Sequence, residues 1–118
     1  MPLMAVAFPI LPGKTDEWRA WMADLNGSRR EEFQASRRNA GVHERTFLQS
    51  SPMGDLVIVT IEGENPGQAF GQIMATKDDF NAWFIERATA IHGFDPSVVT
   101  AGPPSELVVD SGPVPVPA

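Results

Sequence analysis

Leu56-Val57-Ile58-Val59-Thr60-Ile61 decides the fold. The run is almost unbroken in its apolarity and reads as a strand. Apolarity that is continuous rather than alternating marks a strand shielded on both faces. Upstream, Val42–Gln49 is a strand of mixed polarity, and 51–55, Ser-Pro-Met-Gly-Asp, is a hairpin loop joining the two. Further back, Leu3–Ile10 is a short apolar strand whose edge tolerates Pro9, followed by a Pro12-Gly13 turn. Leu107-Val108-Val109 supplies a late fourth strand.

Helical patterns separate these strands. Trp18, Trp21, Met22 and Leu25 recur at helical spacing after Thr15, which suits an N-cap with Asp16 and Glu17 in the first turn. Asn26-Gly27 interrupts the pattern. Ser28 with Glu31 then forms a capping-box signature, and the apolar phase continues through Phe33 to Ala40, closing on Gly41. The spacing predicts one helical region over about 15–40, kinked or restarted near Gly27. Asn65-Pro66 opens a short helix carrying Ala69, Phe70, Ile73 and Met74. Thr76 restarts a helix with Asp79 at N3. It carries Phe80, Trp83, Phe84 and Ile91, and ends at His92-Gly93.

The order β-α-β-β-α-β is ferredoxin-like: an α+β fold with a four-stranded antiparallel sheet and helices on one face. Residues 1–111 form this domain, and 112–118 form a Pro-Val tail that prefers an extended path. In a lone domain the second sheet face is wet. The apolar third strand therefore predicts that a second copy covers it, giving a homodimer.

The element order, the length, the hairpin strand Gly54-Asp55-Leu56-Val57-Ile58-Val59 and the helix with Trp83 resemble the dimeric α+β-barrel superfamily. That superfamily includes antibiotic-biosynthesis-monooxygenase-like proteins and haem-degrading monooxygenases, and the chain looks closer still to small bacterial proteins of this architecture. The resemblance spans roughly residues 1–95. It implies a small-ligand site with monooxygenase-like or isomerase-like activity. The haem-degrading members use an Asn on the first strand with a Trp and a His on the second long helix. Trp83 and His92 match in placement, but Met1–Ile10 holds no Asn, which disfavours haem. No cofactor is required by the sequence.

Composition limits the alternatives. With 118 residues, 42% of them hydrophobic, the chain is long enough for one folded core. A net charge of −6 repels phosphate backbones and anionic bilayers, so neither nucleic acid nor membrane is an expected partner. The absence of Cys excludes disulfides and thiolate chemistry, and two distant His give no usual metal spacing. The N-terminal stretch has no basic n-region and is broken by Pro2, Pro9 and Pro12, so a cytoplasmic location is expected.

Three constellations could carry chemistry. His92 closes the last long helix, where it serves either as acid, base or ligand in a pocket, or as a cap for the helix C-terminus. Trp18, Trp21, Phe80, Trp83 and Phe84 would wall that pocket, or would simply fill the core. His43, Arg45 and Phe47 share one strand face, where His43 and Arg45 could meet Glu62 as an acid–base site or as cross-strand pairs. Arg29, Arg30, Arg37 and Arg38 form an arginine cluster, in which Arg29 and Arg30 beside a restarted helix are an anion candidate, with Glu31, Glu32 and Glu44 as ion-pair partners in the plainer reading. The expected function is binding of a small apolar or aromatic ligand between helices and sheet. The rival is a non-catalytic homo-oligomeric assembly module.

Overall fold

Helices stack on one side of a three-stranded sheet in the computed structural model, which describes residues 2–93 and 105–112. The strands are β1 (Leu3–Pro9), β2 (Val42–Ser51) and β3 (Gly54–Gly63), all antiparallel in the order β1-β3-β2. The stretch Leu56–Ile61 is thus the central strand, paired along both edges. Inner-face residues Met4, Val6, Val57 and Ile61 are buried beneath the helices.

Four helices follow the expected patterns with corrected boundaries. The 15–40 region is two helices, α1 (Thr15–Asn26) and α2 (Arg30–Ala40). The break comes where the Asp24 carbonyl accepts from both Gly27 N and Arg29 N. Neither predicted cap forms. Lys14 and Arg29 occupy the N-cap positions without a side-chain capping bond, and Thr15 Oγ1 instead donates to Asp55 Oδ2 at 2.7 Å. Asn65 does cap α3 (Pro66–Ala75), accepting from Gln68 N. Asp78, rather than Thr76, caps α4 (Asp79–His92), accepting from Asn81 N at 2.7 Å. Gly41 and Gly93 end α2 and α4 in the left-handed conformation, with φ of 74° and 69°.

The predicted fourth strand is not present among the described residues. Leu107-Val108-Val109 carries no ladder pairing and is exposed. Ser105 Oγ donates to the Ala5 carbonyl of β1. Three apolar residues favour an extended path, but without backbone pairing they do not make a strand. The Asp95-Pro96 turn and the Pro-Val tail from residue 113 lie outside the described residues.

Register sets the two sheet faces. On the face away from the helices, Ala7, Ile58 and Phe47 form one cross-strand row, and Leu3, Glu62 and His43 another. Leu3 and Phe47 are each 53% exposed, and Leu56 and Ile58 are half-buried. Among the described residues, therefore, the central strand is buried on its helix side and only half-buried on the other.

Candidate functional site

Between α1, α4 and the inner sheet face lies a cavity of about 50 Å³. Trp18, Trp21 and Met22 reach it from α1, Phe84, Ala88 and His92 from α4, and Val57 and Val59 from β3. Its wall is mostly apolar because these are the inward stripes of two amphipathic helices laid on a buried sheet face. Polar groups enter at a few points, which is the usual design of a ligand pocket.

His92 is one of these. Its Nδ1 lies 2.8 Å from the Pro9 carbonyl oxygen. A carbonyl only accepts, so Nδ1 carries the proton and Nε2 keeps an open lone pair. Burial pushes the His92 pKa below 6.5, and the Pro9 hydrogen bond only partly offsets this. The ring is therefore neutral at pH 7, packed 5.4 Å from Phe8 and 6.3 Å from Trp21 between ring centroids.

Arg37 and Glu44 form the second polar element. Arg37 Nε donates to Glu44 Oε1 at 2.8 Å, with side-chain exposures of only 6% and 7%. Arg37 Nη1 donates to Ser36 Oγ at 2.8 Å. The guanidinium lies over Phe33 at 4.7 Å and Phe84 at 4.8 Å, so aromatic faces replace part of the water it has lost. This pair was half visible in the sequence. Glu44 was a candidate ion-pair partner for the arginine cluster, but nothing placed Arg37 inside the fold.

The third element is a pair of orphans. The indole Nε1 donors of Trp18 and Trp21 are both buried and have no hydrogen-bond partner among the described residues.

The predicted residues divide cleanly. Trp18, Trp21, Phe84 and His92 line the cavity. Phe80 is buried in the same core without lining it, and Trp83 sits half-buried with the Arg29 guanidinium 4.4 Å from its ring centroid. His43 and Arg45 lie on the opposite sheet face, where Arg45 Nη1 meets Glu62 Oε1 at 3.4 Å in an exposed pair. They are not brought to His92. Arg29 pairs with Glu32 at 3.3 Å, and Arg30 is exposed on a surface groove with Arg38 and His43. Among the described residues no group of three or more His, Asp or Glu is placed to hold a metal ion. Nor is any of their helices long and apolar enough to cross a membrane.

Fold and cavity together define an α+β protein with an interior cavity between its helices and one face of its sheet. The model of a family of unknown function (DUF6176) matches residues 1–100, and the chain belongs to that family. No curated protein and no solved structure matches it.

Proposed function

We propose that this protein binds a small, largely apolar ligand in the cavity between α1, α4 and the sheet, with His92 Nε2 as its base. The carrying observation is the neutral His92 on an apolar wall, its tautomer set by Pro9. A neutral imidazole with a free nitrogen is the form that can accept a proton from a bound ligand. Proton removal is the part of an oxygenase-like or isomerase-like reaction that this chain's own residues can perform. The reaction class itself rests on the resemblance to the dimeric α+β-barrel, antibiotic-biosynthesis-monooxygenase-like proteins, and membership of that superfamily is part of the proposal.

The void is smaller than the ~150 Å³ that takes up benzene. A ring-sized ligand enters by displacing Met22 and Met74, flexible side chains on its wall. The open outer face of the sheet, with Ala7, Ile58 and Phe47 in one row, supports pairing with a second copy. The narrowness of the void favours the rival, a homo-oligomeric module whose aromatics only fill space.

Titration with phenol, cyclohexanone and haem, followed by Trp fluorescence, separates the two. Saturable quenching by one of the small rings, weakened in His92→Gln, is the expected result. A flat response to every probe would leave the assembly module standing.

A further inference from the structure

A surface groove of about 390 Å³ lies between α2 and the start of β2. Leu25, Arg37 and Glu44 line both this groove and the cavity, so these three side chains stand between the two spaces. Two of the three are the ion pair held at 2.8 Å. The partition is therefore not a continuous apolar wall. Much of it is one side chain from α2 and one from β2, held to each other.

The two sides of that partition differ in charge. Inside, the wall is mostly apolar, with Val57, Phe84 and Ala88. Outside, Arg30, Gln34 and Arg38 recur every fourth residue on α2 and share one helix row. Arg30 and Arg38 are exposed, and neither has an ion-pair partner among the described residues. Three arginines thus line the groove against one carboxylate, that of Glu44, in a chain of net charge −6. Phe33 and Val42 add apolar surface beside them.

We infer that the groove is the mouth of the cavity, and that the ligand is an amphipathic carboxylate whose apolar tail enters the cavity while its head stays at the arginines. This deepens, and rests on, the reading of the cavity as a ligand site. Arg30 and Arg38 draw the anion to the mouth against the net charge of the chain. Arg37 already holds a carboxylate, so the head replaces that of Glu44 like for like on a planar donor fork. Glu44 is released toward solvent from β2, an edge strand of the sheet. The Arg37 guanidinium keeps its place over Phe33 and Phe84 and is never left as an unpaired buried charge. A neutral or cationic head gains none of this.

Hexanoate, hexan-1-ol and hexylamine share one tail and differ in the charge of the head. Calorimetric titration at low salt should place hexanoate about tenfold or more ahead of hexan-1-ol, with hexylamine weakest. The bromine of 6-bromohexanoate marks the end of the tail. It should quench fluorescence in Trp83→Phe, where Trp18 and Trp21 on the cavity wall are the remaining indoles. Arg30→Gln and Arg38→Gln should each weaken hexanoate about 2–5-fold and leave hexan-1-ol unchanged. In Glu44→Gln, which frees Arg37, hexanoate should raise the thermal midpoint more than it does in wild type. Equal affinity for hexanoate and hexan-1-ol overturns the carboxylate class while leaving the pocket. A hexanoate preference untouched by either arginine variant, or hexanoate binding without bromine quenching, overturns the groove as the mouth. Binding of none of the three compounds removes the pocket and its mouth together.

Discussion

Arg37 on α2 and Glu44 on β2 hold one another at 2.8 Å with almost no access to water. Each charge is tolerated only because the other is there. Removing one partner strands a buried charge, which costs about 3–5 kcal/mol, whereas replacing both with apolar residues of similar size is close to neutral. We expect Arg37→Met and Glu44→Leu each to lower the urea midpoint sharply, and the double variant to recover most of the loss. Strict additivity of the two single effects would show that the pair is not coupled.

His92 makes stability depend on pH. Its folded-state pKa is depressed below 6.5, first by burial, with the Pro9 carbonyl pulling the other way. The unfolded chain then binds the proton more readily than the folded one. Its contribution is complete above about pH 6.5 and drains away as pH falls through the lower folded-state value. Urea midpoints taken between about pH 7 and pH 5 should decline, and His92→Gln should flatten that part of the decline. An identical slope in the variant would mean that other groups produce it.

Gly63, at the end of β3, has no room for a side chain. A Cβ there would sit 2.8 Å from the Gly41 carbonyl oxygen and 3.0 Å from Val42 Cγ1. The obstacle is partly backbone, fixed where α2 turns into β2, so it cannot swing aside. Gly63→Ala should cost about 1–3 kcal/mol, the range for overpacking, read as a drop in thermal midpoint. Gly71, with open space around it, is the control: Gly71→Ala should be neutral or mildly stabilising.

Phe47 lies beside Ile58 on the open sheet face. If a second copy covers that face, Phe47→Glu places a charge in the contact. Sedimentation should then shift from dimer to monomer with helix content unchanged. A wild-type chain that sediments as a monomer at micromolar concentration would end the barrel proposal.

Elements that depend on local chemistry were legible. Asn65-Pro66 opens a helix, Gly41 and Gly93 close two, and Leu56–Ile61 is the central strand. The Ser28 cap failed because the α1–α2 break is set by the Asp24 carbonyl, whose two donors fix where α2 begins. Leu107–Val109 failed for the opposite reason. A strand needs a paired backbone, and three apolar residues say nothing about pairing.

The candidate site was only half readable. Trp18, Trp21, Phe84 and His92 follow from the helical stripes. Arg37 did not, because Arg-Glu-Glu-Phe-Gln-Ala-Ser-Arg-Arg-Asn-Ala is a polar helix with no inward claim for that residue. Its place depends on Phe84 from α4 and Glu44 from β2, neither of which its own helix announces.

By itself the sequence determined an acidic α+β domain: its apolar strand Leu56–Ile61, the Asn65 start of α3, the glycine ends of α2 and α4, and aromatics sharing a helix face with one another. Those features follow from backbone preference and periodicity, which act over a few neighbouring residues. Only the tertiary structure decided that His43 and His92 fall on opposite sides of the sheet, that an arginine goes inside, and that two indole donors are buried without partners among the described residues. Such relations join residues far apart in the chain. They exist only once strand register and helix packing fix distances in space.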